Sequence, residues 1–182
     1  MRREASAPGA DASMKLQLAG PLTRLGGLIA LAVFVLDQAT KIGVMRGVDF
    51  GESGIVPVAP FLDLVVVWNT GISYGLVPLG TEGWWVLALV QLAASAAFVF
   101  WLARVDRRLE AVALGLLIGG ALGNTVDRAA YGAVFDFLSL HAFGWRWYVF
   151  NIADAAIVAG IILLIYDSFF GHAVKSPPSN ES

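Results

Sequence analysis

Two aspartates stand where a solvated carboxylate has little reason to be. Asp154 follows Phe150 by four residues, about one turn inside an apolar run, with only Ala153, Ala155, Ala156 and Ile157 around it. Asp136 lies between Phe135 and Phe137 in the otherwise apolar stretch 134–138. A carboxyl in such company needs a partner or a raised proton affinity. If the segment with Asp136 folds back on the run with Asp154, the two carboxyls meet and share one proton. The ionised member then takes a proton from water as the water attacks a carbonyl. The protonated member donates to the developing oxyanion and then to the leaving nitrogen. Amide hydrolysis needs nothing further, so no cofactor and no metal is expected. The chain has no cysteine, which removes thiol nucleophiles, disulfides and thiolate metal sites and leaves the redox compartment unread.

Other polar side chains gather close by. Asp37 and Lys41, four residues apart, share one helix face and read as an ion pair or an interfacial anchor. Asn69-Thr-Gly71 is a turn signal. Asn124, Asp127 and Arg128 close one apolar run, and Asn151 opens another. Asp127 beside Arg128 reads either as a neutralised helix cap or, on residue type and position alone, as a rival member of the carboxyl pair. Gly115, Gly119 and Gly123 recur at every fourth residue, a stripe that lets a neighbouring helix approach closely and speaks for packing rather than chemistry.

The elements that position these groups follow from composition. Of 182 residues, 58% are hydrophobic and 14% charged, and the mean hydropathy of +0.72 is more than one soluble core can hide. About 20 apolar residues span a ~30 Å hydrocarbon layer. Four runs qualify, predicting helices near 21–41, 84–103, 111–127 and 149–169. The stretch 25–36 also has the length of a signal-peptide core behind Arg2, Arg3, Lys15 and Arg24, but Arg24 can snorkel and extend a retained span backwards. Eight of the twelve basic residues (Arg2, Arg3, Lys15, Arg24, Arg104, Arg107, Arg108 and Lys175) fall on one side of this topology, which makes that side cytoplasmic. Both termini are then cytoplasmic, segments 42–83 and 128–148 lie outside, and every polar cluster falls in the outer layer. The β-branched and aromatic stretch 61–68 predicts a small sheet on the membrane surface.

The fold class expected is therefore membrane all-α with a small β-sheet. One membrane-embedded domain over 16–170 is expected between disordered tails, 1–15 and 171–182. A net charge of −2 offers no basic surface for nucleic acid. His141 and His172 are distant in sequence and on opposite sides, which argues against a metal site.

In order, the chain carries Asp37-Gln-Ala-Thr-Lys41, Asn69-Thr-Gly71-Ile-Ser-Tyr-Gly75, Gly119-Gly-Ala-Leu-Gly123-Asn124-Thr-Val-Asp127-Arg128, Val134-Phe-Asp136-Phe137 and Phe150-Asn151-Ile-Ala153-Asp154. This succession resembles the lipoprotein signal peptidase (signal peptidase II) family over roughly residues 20–170. The resemblance implies an aspartyl endopeptidase of the bacterial inner membrane with its active site at the extracytoplasmic face; apart from the resemblance, a monomer is expected. The implied substrates are prolipoproteins whose cysteine already carries diacylglycerol, cut just before that cysteine, with membrane lipid as the other partner. By motif the catalytic pair is Asp136 and Asp154. Asn124, Arg128 and Asn151 fall on positions that orient the pair or hold substrate backbone, and Asn69 and Gly71 on a substrate-contacting loop. Asp37, Lys41 and Asp127 fall to structural roles. The choice of Asp136 over Asp127 rests mainly on the resemblance. Ala39, Tyr74 and a longer N-terminal lead depart from the family pattern and bear on packing and substrate fit.

Two other chemistries compete. Lys41 as general base for Ser53 or Ser73 would make a Ser/Lys peptidase, but leaves the aspartates unexplained. A proton-coupled transporter would place its carboxyls near mid-bilayer between repeats, whereas these gather at one face and no repeat is present. A pure scaffold accounts for the helices and the glycine stripe, yet leaves Asp154 uncompensated.

Overall fold

Apolar runs whose backbone must satisfy its own hydrogen bonds fold as helices. The computed structural model, which describes residues 19–71 and 83–170, contains four of them long and apolar enough to cross a membrane. They are α1 (Thr23–Gly47), α2 (Trp84–Leu102), α3 (Arg108–Tyr131) and α4 (Ile152–Phe170). The expected tails, Ser73 and His172 lie outside the described residues.

Helix α3 is the axis of the bundle and packs against each of the other three. Its most apolar window is 61% buried, against 17–22% for the others, so α1, α2 and α4 leave most of their apolar surface facing outward. The glycine stripe accounts for the close approach. A Cβ at Gly115 or Gly119 would meet the α1 backbone at 2.6 and 2.5 Å, at Gly26 O and Ala30 O. A Cβ at Gly123 would lie 2.6 Å from Asp37 Oδ2, so the last glycine of the stripe makes room for a carboxylate as well as for a helix.

At one end of the bundle sits a four-stranded antiparallel sheet, β1 (Ile55–Ala59), β2 (Leu62–Asn69), β3 (Val134–Ala142) and β4 (Trp145–Phe150), in that spatial order. Only β2 comes from the stretch 61–68 whose composition predicts strand, and β1 lies just before it. The second segment, read above as a loop that folds back, supplies the central strand β3 and its hairpin partner β4. Its apolar residues are explained by burial on both faces of β3 from Val134 to Phe137. Phe135 packs on Trp68 and Phe137, with ring centroids 5.2 and 5.7 Å apart, and so pins β3 to β2.

Element ends also differ from expectation. Helix α1 runs on to Gly47 and α3 to Tyr131, where Gly132 at φ +71° donates its N–H to Arg128 O and stops the helix in a left-handed cap. Val149 and Phe150 belong to β4, not to the fourth helix, which begins at Ile152.

Candidate active site

The start of α4 explains where Asp154 comes from. Asn151 precedes the helix, and its Oδ1 accepts from Asp154 N at 2.9 Å while Asp154 Oδ2 accepts from Asn151 N at 3.2 Å. This reciprocal pair has the logic of a capping box, with aspartate in the third helical position. Asp154 is thus in the first turn, not one turn deep, and its carboxylate faces the N-terminal, positive end of the helix dipole.

Asp136 arrives from β3. The β2–β3 register sets Val67 opposite Asp136 and Asn69 opposite Val134, so Asn69 and Asp136 share a face as diagonal neighbours. Asn69 Nδ2 donates to Asp136 Oδ2 at 3.1 Å and Asn151 Nδ2 to Asp136 Oδ1 at 2.7 Å. Asn124 Nδ2, from α3, donates to Asp154 Oδ1 at 2.8 Å. Asn151 therefore bridges the two carboxyls, donating to Asp136 from its side-chain amide and to Asp154 from its backbone N–H. Burial, and next to it the negative charge of Asp154, push the Asp136 carboxyl up to about 7, against the opposing pull of the Asn69 and Asn151 amides and of Lys41.

Behind this layer lies a second one, built on ion-pair contacts. Lys41 Nζ sits 2.8 Å from Asp37 and 2.7 Å from Asp127, with all three side chains buried. Arg128 is not the partner of Asp127. Its guanidinium turns the other way, Nη1 donating to Gln91 Oε1 on α2 at 3.0 Å and Nη2 to Gly71 O at 3.3 Å. Asp127, read above as a cap neutralised by its neighbour, is instead neutralised from α1, because residues 127 and 128 point to different sides of α3. Gly71 N donates to Asn69 Oδ1 at 3.1 Å, so the turn signal is real and also aims the Asn69 amide.

Two clefts meet at this point. One, of about 320 Å³, runs along residues 67–71 to Asp136, Tyr148 and Val149. The other, of about 400 Å³, starts at Asp154 and Tyr148 and follows the small side chains Ala155 and Ala159 down α4 to Ile162. Tyr148 lines both. The Ser/Lys alternative loses its geometry among the described residues. The Lys41 ammonium is engaged by two carboxylates and Asn124 Oδ1, and the Ser53 hydroxyl is taken up in a local turn with Ile55.

Three polar residues of the site escape a reading by motif chemistry. Gln38 donates to both Asp37 and Asp127, at 3.2 and 3.0 Å. Gln91 was detectable, since a lone amide within an apolar span invites the same question as Asp154. Tyr148 carried no such signal, sitting in an aromatic hairpin whose exposed members look alike in sequence.

Four helices of membrane-span character, with buried carboxyls gathered under a small sheet at one end, define the class as a polytopic membrane protein with an acidic cluster at one end of its bundle. The comparisons give the family. The sequence pattern of Signal peptidase (SPase) II matches residues 29–170, and the chain belongs to that family of peptidases. It is 57% identical over 144 residues to a lipoprotein signal peptidase of Methylobacterium radiotolerans, covering 78% of this chain and 84% of the relative. It is 58% identical to that of Methylorubrum extorquens over the same shares. Among solved structures, a bacterial membrane enzyme matches with a TM-score of 0.69 at 28% identity, covering 87% of this chain and 95% of the other. The protein is accordingly a multi-pass membrane protein of the lipoprotein signal peptidase family.

Proposed function

We propose that Asp136 and Asp154 are the catalytic dyad of an endopeptidase that removes signal peptides from diacylglyceryl-modified prolipoproteins, cutting before the lipidated cysteine. The observation that carries this reading is the bridged pair: two carboxyls of separate elements, joined through Asn151, with the proton affinity of Asp136 raised to about 7. Near neutral pH such a pair holds one proton. The ionised carboxyl removes a proton from water attacking the scissile carbonyl, and the protonated one donates to the oxyanion and then to the departing nitrogen. Asn124 and Asn151 orient the pair, Arg128 and Asn69 hold substrate backbone near Gly71, and Asp37, Lys41 and Asp127 support from behind.

The apolar cleft along α4 suits an acyl chain, which gains about 0.8 kcal/mol per buried CH₂ and can stay among lipids while the peptide bond reaches the dyad. The basic cluster of Arg104, Arg107 and Arg108 lies at the far end of the helices from the dyad, which supports cytoplasmic termini and an extracytoplasmic site.

The test is cleavage of a prolipoprotein with and without its diacylglyceryl group by purified protein and three variants. Asp136→Asn and Asp154→Asn should each lose about 10³-fold or more in rate, and Ser73→Ala should retain activity. The unlipidated precursor should be cut far more slowly, because remote binding energy is lost. An active Asn variant sinks the dyad, and equal processing of both precursors sinks the lipid recognition.

A further inference from the structure

Asp37 and Asp127 each hold the backbone one residue ahead of a dyad aspartate. Asp37 Oδ1 accepts from Ala153 N at 2.9 Å, next to Asp154, and Asp127 Oδ2 accepts from Phe135 N at 3.2 Å, next to Asp136. Lys41 Nζ contacts both carboxylates, at 2.8 and 2.7 Å, and also donates to Asn124 Oδ1 at 3.2 Å. The same Asn124 oxygen accepts from Asn151 Nδ2 at 3.1 Å, so two donors fix which end of the Asn124 amide faces Asp154. Lys41 is 1% exposed and Asp37 and Asp127 are 0% and 2% exposed, so water does not compete for these contacts.

Resting on the dyad reading above, we infer that Lys41 is a positioning residue whose ammonium sets the separation of the two catalytic carboxyls. The strand that carries Asp136 and the helix start that carries Asp154 come from different elements, and each is tied at its preceding peptide to one carboxylate. A single cation joins those carboxylates and aims the amide that holds Asp154. Without it the two tethers are joined only through the neutral amide of Gln38, which supplies no counter-charge, and misplacement of reacting groups by about 1 Å is enough to lower a rate about 100-fold. The partners of the Lys41 ammonium are Asp37, Asp127 and Asn124, and neither dyad carboxyl is among them.

Steady-state kinetics of the full chain in lipid bicelles, on a diacylglyceryl-modified prolipoprotein, test the inference. Lys41→Met should lower kcat about 100-fold with KM within about threefold, and Lys41→Arg should recover about tenfold of the loss. Thermal unfolding followed in parallel corrects for folded fraction, since Lys41→Met leaves two buried carboxylates without a counter-charge. Should that variant fail to fold, the charge-balanced Asp37→Asn/Lys41→Met/Asp127→Asn triple variant replaces it and should show the same loss in kcat. A kcat within about threefold of the parent, a loss confined to KM or to folded fraction, or failure of both variants to fold would overturn the inference in favour of a structural role. Asp136→Asn in the same assay keeps the two ideas apart: if it remains active, the dyad reading has failed whatever Lys41 does.

Discussion

The molecule holds two pairs of carboxyls side by side, and they are neutralised in opposite ways. Asp37 and Asp127, in the rear layer, share one ammonium. Asp136 and Asp154, in the front layer, are held by the neutral amides of Asn69, Asn124 and Asn151. Asp37, Asp127 and Asp136 are buried and Asp154 is half-buried, but the sharper difference is the partner. An ammonium compensates the charge of a carboxylate and commits it to anchoring. An amide orients a carboxyl without supplying a compensating charge, so a close pair held only by amides keeps a proton between its members and remains able to exchange it. On the proposed dyad, an ammonium behind the site and amides at its front separate the task of fixing geometry from the task of moving protons.

The sharpest way to break this contrast is to put a charge in the front layer. Asn151→Asp keeps the size of the side chain and its capacity to cap α4, since Asn and Asp cap about equally well. It replaces the donor to Asp136 by an acceptor, and kcat should fall about 10³-fold, measured on the lipidated precursor, while α4 remains folded by circular dichroism. Retained activity would show that the neutrality of the front layer is incidental.

A smaller effect follows from pH. Asp136 is pushed up to about 7, above the value of about 3.9 expected of an unfolded aspartate. The alkaline limb of kcat/KM should therefore bend near pH 7 and fall about tenfold per unit beyond it, as the shared proton is lost. Linkage gives the companion sign. In the range between about 3.9 and 7 the folded protein binds more protons at this site than the unfolded chain, so its contribution to stability is complete below that range and is lost as pH rises through it. Asp136→Asn should flatten unfolding midpoints across that window, and an unchanged pH dependence would remove Asp136 from the account.

The mildest perturbation addresses the rear layer alone. A methyl group at Gly123 would press on Asp37 Oδ2 from 2.6 Å, whereas at Gly43 it would meet nothing within 4 Å. Gly123→Ala should destabilise by about 1–3 kcal/mol as an overpacked core position. Gly43→Ala should be neutral or stabilise by up to about 1 kcal/mol through helix propensity. Thermal melts of the two variants in the same lipid make the comparison, and equal midpoints would contradict the close fit of Asp37 against α3.

Much of the site was legible because intramembrane polarity is conspicuous. Asp154 and Asp136 each stood out among apolar neighbours, and Gly115, Gly119 and Gly123 announced a close helix contact, though not that α1 would make it. The strands at 134–150 were not legible. From Val134 to Phe137 β3 is buried on both faces, so the alternation of covered and exposed residues that marks a half-buried strand is missing there. The partner of Asp127 was misread for a related reason, since adjacency in sequence placed it with Arg128 while helical geometry sent the two side chains to opposite neighbours.

The sequence by itself determined that four helices would form and that the carboxyl and amide clusters would collect at one end, because these depend on the length of apolar runs and on the cost of placing charge in lipid; it did not set the helix ends. Tertiary structure alone decided which carboxyl meets which donor. That choice depends on the register of β2 against β3 and on the closeness of α1 to α3, which bring together groups such as Lys41 and Asn124, 83 residues apart in the chain.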